Sequence, residues 1–287
     1  MLSYQHAYHA GGTADLHKHA AMCLLLERLA EKDKPFAVVD LYAGHGVYDL
    51  TGGEAQKTRE FEGGVGKVWP LRGKKSPPGI TRLLGGIEAL NPTGQLVRYP
   101  GSPALARGFL RPDDRLILNE LHPAAFIDLK RWAARDKRIT LHKRDGLEAL
   151  VGLTPPPIRR GLVVIDPSYE IKTEYADVPK TLRKAHRKWK DGIFLVWYPI
   201  LADERHADLI AGMKSGFDGE VLACELVFDK PKGAKDAPGL CGTGLIVVNP
   251  PWQFDQAMSE TGEWLAKALT KTGRHGCAWL KRDDAPR

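Results

Sequence analysis

Residues 161–170 read GLVVIDPSYE. An apolar, β-branched run ends in an acid, a proline, a serine and an aromatic. Without polar alternation, the run predicts a strand buried on both faces. Six runs of the same kind recur: FAVVDLY (36–42), RLILNEL (115–121), ITLHKRD (139–145), GIFLVWYP (192–199), EVLACELVF (220–228) and TGLIVVNP (243–250). Helical patterns separate most of them, among them PAAFIDLKRWAARD (123–136) and ADERHADLIAGMK (202–214). Strand–helix alternation predicts a largely parallel sheet covered on both faces. The last two runs are joined by DKPKGAKDAPGLCG (229–242), which has no helical pattern. A hairpin and one antiparallel strand are expected there.

A Rossmann-like α/β sheet of seven strands, mostly parallel with the last antiparallel, is the sheet of class I S-adenosylmethionine-dependent methyltransferases. More than sixty residues separate LYAGHGVYDL from RLILNEL, and part of this gap, 51–95, is rich in Gly, Pro and Lys with weak helical segments. The expected organisation is one methyltransferase domain over 1–50 and 96–287, with an inserted helical subdomain over 51–95. Hydrophobic residues make up 43% of the 287, enough for a core, so global disorder is excluded. No apolar run is long enough for a bilayer, and the first residues are not a signal peptide. Cys23, Cys224, Cys241 and Cys277 have no CxxC spacing. That pattern fits reduced thiols in a cytoplasm, argues against a cysteine-based zinc site, and leaves no metal expected. The net charge of +7 and pI of about 9.1 favour a polyanionic partner, nucleic acid first.

VVDLYAGHGVYDL puts Asp40 near the end of the first strand, with Gly44 and Gly46 in the turn after it. Glycines there let backbone approach a ligand, and the next helix offers free N–H groups. The full GxGxxG fingerprint is not met, which speaks against a nicotinamide oxidoreductase. Glu120, at the tip of the second strand, can accept both hydroxyls of a ribose. Asp145, at the tip of the third, can reach an adenine amino group. Each acid alone reads as a cap or a surface charge; three at successive tips read as a site.

Methylating an exocyclic adenine nitrogen requires acceptors for its N–H bonds, because the lone pair is delocalised into the ring. Asp166-Pro167-Ser168-Tyr169 supplies a carboxylate, a proline-fixed turn and an aromatic to stack on a flipped base. It fits the D/N-P-P-Y/F/W pattern of amino-methyltransferases except at Ser168. Asn249-Pro250-Pro251-Trp252 fits by letters but follows the antiparallel strand, whose carboxyl end lies at the opposite rim. It is read as a proline-closed strand end with Trp252 packed on a helix. The basic run TLRKAHRKWK (181–190) reads either as a solvated helix face or as a phosphate track through Arg183, Arg187 and Lys188. His6, His9, His17 and His19 have no common zinc spacing. Polar residues of that segment are read as solvated or capping, or as part of the site.

The opening LSYQHAYHAGGTADLHKH, with AGHGVY, YPGSPALA (99–106), NELHP, RDG, IDPSYE, VWYP and NPPW, resembles the RlmJ family, adenine-N6 methyltransferases of 23S ribosomal RNA. The resemblance runs over nearly the whole chain and is weakest across 51–95 and at the C-terminus. It implies a class I fold with a small helical insertion, S-adenosylmethionine as cofactor and 23S rRNA as partner, with no membrane and an expected monomer. By position it implies Asp166 as catalytic acid, with Pro167 and Tyr169 beside it. His19, Tyr42, Gly44, Ser102, Glu120, Asp145, Gly146 and Asp166 would line the cofactor. Tyr4, His6, Lys18 and Tyr169 would meet the substrate. Tyr42 stands where the family commonly has histidine. The alternatives are a DNA adenine-N6 methyltransferase, or a non-catalytic RNA-binding or ribosome-assembly protein on the same fold.

Overall fold

Each apolar run becomes a strand because its alternate residues reach opposite sides of one sheet. In GLVVI, Val163 and Ile165 enter one buried cluster, while Leu162 and Val164 enter another across the sheet. The computed structural model describes residues 5–228 and 240–282. The strands are β1 (Ala37–Asp40), β2 (Val47–Asp49), β3 (Arg98–Pro100), β4 (Arg115–Asn119), β5 (Ile139–His142), β6 (Gly161–Ile165), β7 (Ile193–Leu201), β8 (Val221–Val227), β9 (Leu240–Val248) and β10 (Arg274–Lys281). The helices are α1 (Thr13–Ala30), α2 (Gly53–Thr58), α3 (Glu60–Gly63), α4 (Val65–Val68), α5 (Pro78–Leu90), α6 (Ser102–Phe109), α7 (Pro123–Ala133), α8 (Gly146–Gly152), α9 (Glu174–Lys188), α10 (His206–Met213) and α11 (Phe254–Leu269).

The main sheet has eight strands in the order β10-β8-β9-β7-β6-β1-β4-β5, and β2 and β3 form a separate ribbon. Strands β5, β4, β1, β6 and β7 run parallel. Strand β9 is antiparallel between β7 and β8, as the hairpin reading requires. The count of seven needs correcting. An eighth strand, β10, pairs antiparallel with β8 and forms the edge. Its sequence, RHGCAWLK, alternates between half-buried and exposed positions, so it lacks the continuous apolar run of an inner strand.

Segment 51–95 contributes α2 to α5. Ile80, Leu83 and Ile87 of α5 share a third cluster with Leu16 and Ala20 of α1 and Leu265 of α11. Helix α1 also departs from expectation. Its polar residues Asp15, His17, Lys18 and His19 are buried, not solvated, because α5, α6, α11 and β9 surround it. Two cations of the basic run are spent on the fold: Arg183 Nη1 donates to Gly212 O (2.8 Å) and Lys188 Nζ to Val151 O (2.5 Å). Lys184 and Arg187 remain exposed. Among the described residues, no helix is long and apolar enough to cross a membrane.

Candidate active site

The carboxyl ends of β1, β4, β5 and β6 open onto one cleft of about 330 Å³. Open α/β sheets bind ligands at this rim, where the strand order reverses between β1 and β6. After β1 the chain turns sharply and enters β2, not the helix expected to offer free N–H groups: Gly44 has φ +63°, and a side chain there would strike the Tyr48 hydroxyl. The turn is tied to the next strand by Glu120, which accepts from Gly44 N (2.8 Å) and from His122 N (2.7 Å). Each carboxylate oxygen keeps acceptor capacity for a hydroxyl pair. Asp145 caps α8, accepting from Leu147 N (2.9 Å) and Glu148 N (3.0 Å), and also lines the cleft. The Tyr42 ring lies against Gly146, where no larger residue fits, and both face the cleft. Ser102 opens α6 at the same wall.

The cleft has the chemistry of a polar-ligand site. His19 Nε2 and Glu174 Oε2, of residues that line it, are buried without hydrogen-bond partners, as is Asp40 Oδ2 at the end of β1, although such groups are ordinarily satisfied. Burial raises the Asp40 carboxyl to about 6, against the Ser102 side chain and the Tyr42 N–H, which favour its charged form. Burial likewise raises Glu174 to about 7. His19 Nδ1 is held by the Tyr99 hydroxyl at 2.8 Å, and burial lowers its pKa to about 3, so the ring is neutral. These donors and acceptors suit a nucleoside with an amino-acid tail, as in S-adenosylmethionine.

Asp166, directly after β6, sits where this cleft meets a second one. His6 and Lys18 also line both, while Trp197, Phe228 and Leu240 line the second alone. Lys18 Nζ bridges two carboxylates, at 2.5 Å from Asp166 Oδ2 and 2.9 Å from Asp15 Oδ1. The ammonium side chain is only 5% exposed. Asp15 also accepts from His6 Nε2 (3.0 Å) and Gly11 N (3.0 Å). Burial works against the Asp15 charge, but His6 and Lys18 outweigh it and hold its pKa well below the carboxylate range.

The structure thus gathers His6, Lys18, His19, Tyr42, Gly44, Ser102, Glu120, Asp145, Gly146 and Asp166 around one cleft. Tyr169 does not join them. Its φ of +54° turns the ring into the core, where it packs on Tyr175 and its hydroxyl donates to Trp197 O at 2.9 Å. The expected base-stacking aromatic is therefore a packed anchor, and buried Pro167 fixes the turn between it and Asp166. Tyr4 lies outside the described residues. Asn249 lines neither cleft; its amide donates to Lys190 O and Gly192 O. Trp252 is 55% exposed rather than packed on a helix, although its carbonyl accepts from Arg28. Sequence reasoning missed Asp15, Glu174 and Trp197. The Asp15, Lys18, His19 spacing of i, i+3 and i+4 on one helix was the available signal for the first.

This strand order, with a carboxylate-rimmed cleft at the switch point, defines a class I S-adenosylmethionine-dependent methyltransferase. The chain belongs to the family described as ribosomal RNA large subunit methyltransferase D, RlmJ, whose model matches residues 33–281. It is 36% identical to ribosomal RNA large subunit methyltransferase J of Escherichia coli (strain K12), over 98% of this chain and 99% of the relative. The protein of the same name from Haemophilus influenzae is 35% identical, over 95% of this chain and 96% of the relative. A crystal structure of a Legionella pneumophila protein superposes with a TM-score of 0.86 at 33% identity, covering 94% of this chain and 98% of that one.

Proposed function

We propose that this chain methylates the exocyclic N6 of an adenine in 23S ribosomal RNA. The rRNA-methyltransferase activity follows from the family; the base, the atom and the residue roles are our reading. The observation that carries it is Asp166 at the meeting point of two clefts, one rimmed by the acids of successive strands and the other walled by Trp197 and Phe228.

S-adenosylmethionine, when bound, supplies an electrophilic methyl group. Glu120 would accept the ribose hydroxyls, and Asp145 and Gly146 would border the adenine. Ser102, His19 and the Gly44 turn would face the remainder, with Tyr42 packed on Gly146. In the second cleft, the aromatic faces of Trp197 and Phe228 offer stacking to a base taken out of its helix. Asp166 would accept an N–H of the target amino group, turning its lone pair towards the donor. Lys18 fixes the Asp166 carboxylate in place, and His6 and Tyr4 belong to the substrate side. Segment 51–95 is read as an insertion in a domain built from 1–50 and 96–287. A monomer working in the cytoplasm, where ribosomal RNA is available, completes the reading.

Transfer of tritiated methyl groups to total RNA from cells lacking the modification, followed by mapping of the labelled nucleotide, tests this. Label on N6 of an adenine in 23S rRNA is expected. Label on duplex DNA instead, or on no nucleic acid, would overturn it.

A further inference from the structure

The sequence spacing argues against cysteine-bound zinc, because no two cysteines are close in the chain. The sheet removes that argument. In the antiparallel β8–β10 ladder, Cys277 pairs directly with Cys224. His275, two residues before Cys277, projects from the same face of its strand. One ligand atom from each of Cys224, His275 and Cys277 lies within 4.8 Å of the other two. Cys224 is buried and the other two are half-buried.

A fourth donor stands next to them. His17 of α1 meets the His275 ring edge-on, with centroids 5.3 Å apart and planes at 76°. All four ring nitrogens of His17 and His275 are buried without a hydrogen-bond partner. Buried imidazoles ordinarily find a partner. With nothing else bound to these nitrogens, each ring is free to turn a nitrogen towards a cation. Gly262 of α11 lies flat against His275, and a side chain there would collide with the ring. Of the four histidines near the N-terminus, His17 is the one that meets the His275 ring; His6 and His19 line the active-site cleft.

Two thiols and two neutral imidazoles make a tetrahedral donor set for a borderline-soft divalent cation. We propose that Cys224, His275 and Cys277 bind a zinc-class ion, with His17 turning in as the fourth ligand. The site closes on protein donors, so its role is structural. It ties the edge strand β10 to β8 and to α1, the helix that carries Lys18. The proposal reverses the expectation of no metal, and it stands apart from the proposed methyl transfer.

The test uses tag-free, reduced protein under nitrogen, titrated with cobalt(II) chloride and then with zinc chloride. The expected result is thiolate-to-cobalt charge-transfer absorption that saturates at one equivalent per chain and is abolished by zinc. Cys224→Ser and Cys277→Ser should each lose it, and Cys241→Ser should keep it. His17→Ala should weaken cobalt binding by roughly tenfold or more. Zinc should raise the melting temperature of the parent protein but not of Cys277→Ser. The parent measurement decides even if a variant fails to fold: no charge-transfer band at excess cobalt overturns the site. So would the same band persisting in both cysteine variants, or a Cys224–Cys277 disulfide in protein purified in reductant.

Discussion

Asp166→Asn separates the two duties of the central carboxylate. Asparagine keeps the shape and one acceptor oxygen but loses the charge. Lys18 then keeps a single charged partner, Asp15 at 2.9 Å, and remains buried at 5% exposure. Losing a hydrogen bond to a charged group costs about 1.5–3 kcal/mol. For a domain of this size each kcal/mol lowers Tm by roughly 2–4 °C, so a fall of roughly 3–12 °C is expected. The chain stays folded at 25 °C. Turnover should fall further in relative terms, by up to about 10²–10³, because a neutral amide oxygen is a weaker acceptor for the amino N–H than the carboxylate. The assay pairs tritiated methyl transfer to rRNA with thermal melts followed by circular dichroism. Lys18→Met should also cost less stability in the Asp166→Asn background than in the parent, because the two side chains are in contact. Parent-like turnover in a folded Asp166→Asn variant would refute the catalytic assignment. An unchanged Tm would refute the buried bridge.

Glu120→Gln should weaken S-adenosylmethionine binding by about 1.5–3 kcal/mol, roughly tenfold or more, as read by titration calorimetry. An unchanged Kd would remove Glu120 from the ribose. Asp40 is 1% exposed and its pKa is raised to about 6, so between about 4 and 6 the folded chain holds a proton that the unfolded chain has released. Its contribution to stability therefore falls as pH rises through that window. Asp40→Asn should flatten this slope in urea unfolding measured across the same range. On α9, Lys184→Gln with Arg187→Gln should reduce the salt slope of RNA binding by roughly 1.4–1.8. Arg183→Gln should leave that slope alone and lower Tm, since Arg183 holds Gly212 O.

The inner strands were legible because burial on both faces leaves an uninterrupted apolar run, as in GLVVI. Strand β10 was not, because a half-exposed edge strand mixes Arg, His and Lys with its apolar positions. The acids at the strand tips were legible as a set, since strand order converts positions far apart in sequence into one rim. The direction of an aromatic was not. Nothing in the letters of Asp166-Pro167-Ser168-Tyr169 gives the positive φ that sends the Tyr169 ring inward. Nor does composition reveal that Asp15, Lys18 and His19 are buried, because their compensation comes from partners distant in the chain, such as Asp166 and Tyr99.

Helix α1 has a consequence for the order of events during synthesis. It packs on β9 and α11, more than two hundred residues further along, and is therefore made well before them. Until those elements leave the ribosome, its apolar face, with Met22, Leu25 and Leu26, is covered only in part, by α5, α6 and the earlier strands, and the remainder is a target for chaperones. The growing chain therefore carries its strand-tip acids for some time before α1 has its full set of neighbours.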